Sequence, residues 1–279
     1  MSERLFHGFI WLSALLVLVL LLWIIGGLLD KGLSHLSLSF LLEAPADSGR
    51  SGGIAPVLVA TLLILGVTFV AALPLGLATA VWLAEFTRRN SRFAGYVRLF
   101  LDVLAGVPSI VFGLFGYAFF SLYLGMGFSI MSGGLTLACM ILPVFIRTCE
   151  MGVRSVNDSW RQGASALGMQ KIKAVWHVLL PAAAPAIVAG LILSMGRATA
   201  ETAALIFTSG YVDRMPGSLL DSGRALSVHI YDLSMNVTGG DAAAQASALM
   251  LLLIIIFFNV SAYALTDRWM ARRFPDANS

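Results

Sequence analysis

The chain has 279 residues, 58% of them hydrophobic and 12% charged, with a mean hydropathy of +0.87. Ordinary soluble domains are roughly 25% charged, so the composition excludes a single water-exposed globule and asks how often the chain crosses a bilayer. The net charge of +3 is not read as nucleic-acid binding, because in so apolar a chain the placement of Lys and Arg says more than their total.

The N-terminal Ser2-Glu3-Arg4 followed by an apolar run has the outline of a secretory signal. About twenty apolar residues suit a spanning helix better, however, and Trp23, Gly26 and Gly27 make a poor cleavage site. Apolar stretches lie at about 9–29, 54–86, 100–124, 133–149, 185–207 and 244–265. The expected fold is all-α, a polytopic membrane protein with about six transmembrane helices. Residues 1–53 supply the first helix and an outer loop, 54–270 the main transmembrane unit, and 271–279 a short cytoplasmic tail. Pro74, Pro108 and Pro143 fall within or near three of the stretches and predict breaks that neighbouring helices must cover.

Thirteen of the eighteen cations follow the even-numbered spans or precede the first, among them Arg4, Arg88, Arg89, Arg92, Arg98, Arg147, Arg154, Arg161, Lys171, Lys173, Arg268, Arg272 and Arg273. The other side holds Lys31, Arg50, Arg214 and Arg224. Both termini are therefore expected in the cytoplasm. On the opposite side, the segment 219–231 is apolar enough to dip into the membrane. Cys139 and Cys149 are ten residues apart on one expected helix, about 15 Å and beyond disulfide reach. His7, His35, His177 and His229 show no metal-ligand spacing.

The polar stretch at about 150–181 reads as a helix, a glycine turn at Gly168 and a second helix closed by Pro181, a knob for a cytoplasmic partner. A solvated connector is the plainer alternative. Gln162-Gly163-Ala164-Ser165-Ala166-Leu167-Gly168, running on to Leu180-Pro181, resembles the ATPase-docking loop of bacterial ABC importer permeases. Gln162 and Gly163 depart from that family's Glu and Ala, which weakens a charge contact at Gln162 and leaves the Leu167-Gly168 turn intact. Arg161, Lys171 and Lys173 read as orientation charges. The lysines lack the Gly-Lys-Ser/Thr context of a phosphate-cradling loop, so ATP is expected on a partner subunit, with no cofactor on this chain and no enzymatic activity of its own.

Arg197 and Glu201 fall in the fifth apolar stretch, four residues apart and so expected on one face of its helix, one turn apart. Charges in a spanning helix face a cavity or a partner and mark a transport route. A guanidinium fork matches two phosphate oxygens, while Glu201 can accept the proton that phosphate retains and sulfate lacks. The alternative is a pair that merely neutralises itself. Thr202 is a candidate hydroxyl contact, with Thr199, although helical threonines more often bond their own backbone. Arg147 is a further candidate for an inner vestibule. Glu85 is expected to reach water, Arg98 and Asp102 to pair along one helix, and Gly106, Gly113 and Gly116 to serve helix packing.

The segment from Gly196 to Ala203, followed by Phe207-Thr208, is similar to the PstA-type phosphate permeases. So are Pro74-Leu75-Gly76 with Leu83-Ala84-Glu85-Phe86, the run 105–114, and 142–148, and the likeness extends over about 56–265. The resemblance implies the type I, MetI-like importer fold, inorganic phosphate as cargo, and a heteromer. Its members would be a second, PstC-like permease, a PstB-like ATPase dimer and a PstS-like binding protein outside. A permease for sulfate, molybdate or phosphonate, a self-sufficient proton-coupled carrier, and a purely structural membrane subunit are the rival readings.

Overall fold

In the computed structural model the described residues are 2–88 and 91–273, with side chains for 5–88 and 91–268. Arg89, the side chains of Arg4, Arg272 and Arg273, and the last six residues of the expected tail lie outside them.

Helix α1 (Ser2–Leu33) packs its far end against the last helix and leaves the side chains from Leu5 to Ile24 exposed. Then come α2 (Leu38–Leu42), capped by the Ser37 hydroxyl, and a two-residue antiparallel hairpin of β1 (Pro45–Ala46) and β2 (Ser51–Gly52). Helix α3 (Ala55–Val81) runs on through a π turn at Trp82–Phe86. Helices α4 (Arg92–Ala105) and α5 (Ser109–Gly116) follow, α5 being extended by a π turn at Tyr117–Tyr123. Helix α6 (Ile130–Ser155) leads to α7 (Asp158–Ala166) and α8 (Lys171–Ala174). A π turn at Val175–Leu179 joins α8 to α9 (Leu180–Thr199). The chain ends with α10 (Ala203–Ile206), α11 (Leu226–Met235) and α12 (Asp241–Arg273).

Five helical runs among the described residues are long and apolar enough to cross a membrane, and a sixth if the bent pair α4 and α5 counts as one. The break expected at Pro108 is found in that pair, whose two pieces meet at 100°. Pro108 cannot donate a backbone hydrogen bond and disfavours helix at Val107, so the chain turns there. Pro74 and Pro143, by contrast, leave α3 and α6 continuous. The fifth span is also displaced from 185–207 to Lys171–Thr199.

Helix α6 is the centre of the bundle, flanked by α3 and α9, with Ile64, Ile130, Leu137, Met140 and Ile141 in the main core. Lipid tails are as apolar as leucine, so close backbone approach rather than water exclusion must hold such helices together. A Cβ at Gly116 would fall 2.0 Å from Thr136 Oγ1, and one at Gly113 2.8 Å from Ala204 Cα. Gly106 differs from the packing role expected of it, because its nearest neighbour is the Val103 carbonyl at 3.5 Å, within its own turn. Thr68 Oγ1 donates across the α3–α6 interface to the Gly134 carbonyl at 3.0 Å. The segment expected to dip into the membrane yields α11, whose Leu226, Val228, His229 and Leu233 are buried within the protein. Cys139 and Cys149 both lie on α6 as free thiols.

Candidate functional site

Three charged regions stand out: the break after α9, the end of the bundle carrying α7, and the opposite end around Arg224.

Arg197 sits in the last turn of α9, where a cation is favoured by the helix dipole. It is half-buried and, among the described residues, makes no hydrogen bond or ion pair. The helix stops at Thr199, so Glu201 is not on its face, which corrects the expected alignment of the two charges. Glu201 Oε1 instead accepts from Ala204 N at 3.3 Å at the start of α10, and its carbonyl accepts from Ser227 Oγ at 2.6 Å. Local side-chain bonding of this kind competes with helix continuation, and the tight contact of Ala204 with Gly113 turns the chain towards α5. The pair is therefore not self-neutralised. Thr202 lies past the helix end and is half-buried. Thr199 Oγ1 donates to the Met195 carbonyl at 2.7 Å, the backbone bond expected of a helical threonine.

At the α7 end, Glu150 is 1% exposed and faces three guanidinium groups. Arg98 Nε lies 2.7 Å from Oε1, Arg147 Nη1 2.8 Å from Oε2, and Arg154 Nε 3.1 Å from Oε1. Arg147 also grips Asp102 through Nε at 2.7 Å and Nη2 at 3.3 Å. The expected Arg98–Asp102 pair is thus replaced by two pairs running from α4 to α6, since both side chains point across the helix interface rather than along their own helix. Arg147, a predicted path residue, has its donors committed to these carboxylates. Glu150 falls one residue past the apolar stretch 133–149, so hydropathy does not single it out. Its spacing, three after Arg147 and four before Arg154, was the available signal.

Glu85 is likewise not free to reach water. Its side chain is 7% exposed and its Oε1 accepts from Arg161 Nε at 3.0 Å and Nη2 at 2.7 Å. Arg161 further donates to the carbonyls of Val153 at 2.9 Å and Val156 at 2.6 Å. Lys171 donates to the Glu85 carbonyl and lies 5.2 Å from the centre of the Phe86 ring. Arg161 and Lys171 are specific contacts, a correction to their reading as orientation charges.

These contacts fix the base of the knob formed by α7 and α8. Gly168 has φ +69°, and Gly168 N and Met169 N donate back to Ser165 and Ala164 at 3.0 Å each. Leu167 at the apex is 81% exposed, Gln162 and Gly163 are exposed beside it, and Ala164 is buried beneath. The expected closure of the second helix at Pro181 is not found, because Leu180 and Pro181 lie inside the continuous run Lys171–Thr199. The π turn before α9 places Pro181 at a first-turn position, where its missing N–H is tolerated.

At the opposite end Arg224 lies 3.6 Å from Asp213 and 3.4 Å from Asp232, and its Nε donates to the Tyr211 carbonyl at 2.8 Å. His229 stands beside it at 3.4 Å, and burial, reinforced by Arg224 and opposed by Asp213 and Asp232, holds the imidazole down to about 4. No group of three or more His, Cys, Asp or Glu able to hold a metal occurs among the described residues.

A helical bundle with a broken span, a charged residue at the break and an exposed two-helix knob between α6 and α9 defines a membrane-spanning permease subunit of the type I importer class. The chain belongs to the binding-protein-dependent transport system inner membrane component family, whose pattern matches residues 72–273. It is 30% identical over 282 aligned residues to the probable ABC transporter permease protein YqgI of Bacillus subtilis, covering 96% of this chain and 95% of that one. It is 36% identical over 208 residues to the phosphate transport system permease protein PstA 1 of Mycobacterium tuberculosis H37Rv, covering 73% and 67%. A bacterial alginate ABC transporter, solved in complex with its alginate pentasaccharide-bound periplasmic protein, shares the fold with a TM-score of 0.67 at 13% identity over 99% of this chain and 96% of that chain. The inward-facing MetNI methionine transporter gives 0.60 at 16% identity, over 76% and 95%. The chain is thus an ABC importer permease, a transport component with the MetI-like fold.

Proposed function

We propose that this permease carries inorganic phosphate, and the observation that supports it is Arg197. Its guanidinium is half-buried at a helix break and has no partner among the described residues. A charge so placed needs an opposite charge to justify its desolvation, and a transiting anion supplies one. Glu201, tethered beyond the break by Ala204 and Ser227, selects for an anion that can donate a proton. Thr202, half-buried next to Glu201, adds a hydroxyl. Arg147 serves this path indirectly, by fixing α6 against α4. Several PstA proteins among the relatives support the same cargo.

In this reading the α7 end is cytoplasmic, as the clustering of Arg and Lys there favours, and both termini share that side. Residues 54–270 form the permease unit, preceded by the helix and outer loop of 1–53 and followed by a short tail at 271–279. Gln162, Gly163, Ala164, Leu167 and Gly168 present the knob to a PstB-like ATPase dimer, while Leu180 and Pro181 carry its motion into α9. A PstC-like permease completes the path at Arg197, and a PstS-like protein delivers phosphate to the Arg224 end. ATP stays on the partner, and the inner membrane of a bacterium is the setting.

The test is ATP-dependent uptake in liposomes containing all four components, comparing labelled phosphate, sulfate and molybdate. Phosphate uptake is expected, at least tenfold lower for Arg197→Gln, with phosphate binding by the extracytoplasmic protein unchanged. Equal uptake of sulfate, or full activity of the variant, overturns the cargo assignment.

A further inference from the structure

The π turn at Trp82–Phe86 is held from two directions. From the knob side, Arg161 of α7 grips the Glu85 carboxylate and Lys171 of α8 the Glu85 carbonyl. From the other side, the Leu83 carbonyl accepts from Arg98 Nη2 of α4 at 3.3 Å and Arg154 Nη2 of α6 at 2.9 Å. Those same arginines converge on buried Glu150, which passes the connection through Arg147 to Asp102 on α4. A π turn is a local defect in a helix and a frequent functional site. Arg161 also reaches the end of α6 directly, through the Val153 and Val156 carbonyls.

We propose that this turn and Glu150 form a relay that makes α4 follow α7, so that Glu150 is a positioning residue of the transport cycle. The inference rests on the reading of the knob as the ATPase-docking element. The mechanical argument is one of stiffness. Glu150, Arg147 and Arg154 belong to α6 and Arg98 and Asp102 to α4, so parting the two helices would break the Arg98–Glu150 and Arg147–Asp102 pairs and leave the largely buried Arg98 uncompensated, which opposes it. The 100° bend at 106–108 separates α4 from α5, leaving α4 free to move with the α7 end while α5 remains docked on α10. A knob displacement is thereby delivered to the bend, next to the Ala204 contact with Gly113 that adjoins Glu201.

The test uses the assembled complex, with spin labels at exposed Tyr96 of α4 and Ser165 of α7. With the relay intact the distance between them stays constant on ATP binding. In Glu150→Gln, ATP is expected to shift or broaden it on the order of 5 Å, about one helical turn, and Glu150→Asp should restore most of the wild-type behaviour. Should Glu150→Gln fail to assemble, Asp102→Asn, which removes an exposed carboxylate, is expected to broaden the distribution in the same direction. A wild-type distance that changes with ATP, or assembled variants that match the wild type, overturns the relay. If the ATPase does not co-purify with the wild-type chain, the docking reading fails first and the relay with it, a result distinguishable from a bound ATPase with an unaffected variant.

Discussion

Glu85 and Arg161 are 76 residues apart in the chain and meet through two hydrogen bonds of 3.0 and 2.7 Å to one carboxylate oxygen. The pair closes α7 onto the end of α3. Breaking a buried ion pair from one side costs about 3–5 kcal/mol, because the survivor is left uncompensated. Arg161 is partly exposed, which brings the expectation for Glu85→Gln to the lower part of that range. Thermal melting of the detergent-solubilised chain should fall, and Arg161→Ala should fall further, because it also frees the Val153 and Val156 carbonyls. Equal melting of both variants and the wild type would remove the pair from the base of the knob.

The turn at Gly168 gives a cleaner local test. A Cβ there would meet nothing within 4 Å, so a substitution at φ +69° is opposed by backbone conformation alone. Left-handed geometry costs a residue with a Cβ roughly 1–2 kcal/mol, and Asn less than most. Gly168→Val is therefore expected to speed amide exchange across 158–174 with little change in global melting, and Gly168→Asn to lie in between. Protection unchanged by valine would mean that the turn is not rigid.

Spans were legible from the sequence because the bilayer imposes a length and an apolar composition that no tertiary contact can replace. The knob was legible because Gly168 marks a turn by its own backbone freedom. The ends of helices were less so. Whether Glu201 continues α9 depends on Ser227, 26 residues later, and on a glycine in α5 that admits Ala204. No local pattern contains either. Pro181 looks like a terminator until the preceding π turn shifts it into a first-turn position. Charge pairing was hardest of all, since Arg98 and Asp102 satisfy the helical spacing rule yet each turns to α6. Spacing states which partners are possible, and the burial of Glu150 decides between them.

His229 makes a prediction about acid. Its imidazole is held at about 4 in the folded protein, against about 6.5 in an unfolded chain. Between those values the unfolded chain binds the proton and the folded one does not. Stability is then complete above about pH 6.5 and declines as pH falls towards 4, by up to about 3 kcal/mol. Melting measured at intervals across this window should show that decline, and His229→Gln should flatten it. A wild-type curve flat from 6.5 to 4 would contradict the burial of a neutral imidazole beside Arg224.

The contact of Gly116 with Thr136 tests the packing of the bundle. A Cβ at Gly116 would lie 2.0 Å from Thr136 Oγ1 and 2.7 Å from its Cγ2. Thr136 has little room to yield, being buried with its hydroxyl donating to the Ser132 carbonyl at 2.7 Å. Gly116→Ala should therefore destabilise by the roughly 1–3 kcal/mol of an overpacked site, even though alanine is the better helix former by about 1 kcal/mol. Adding Thr136→Ala removes the two nearest atoms and leaves only the Cβ at 2.9 Å, so it should recover part of the loss, a coupling that two distant sites would not show. Gly8→Ala on α1, where nothing lies within 4 Å, is the control and should be neutral or slightly stabilising. If Gly116→Ala behaves like Gly8→Ala in the same detergent melt, α5 does not sit against α6 at the separation described, and the seat of α10 beside it at Gly113 loses its support.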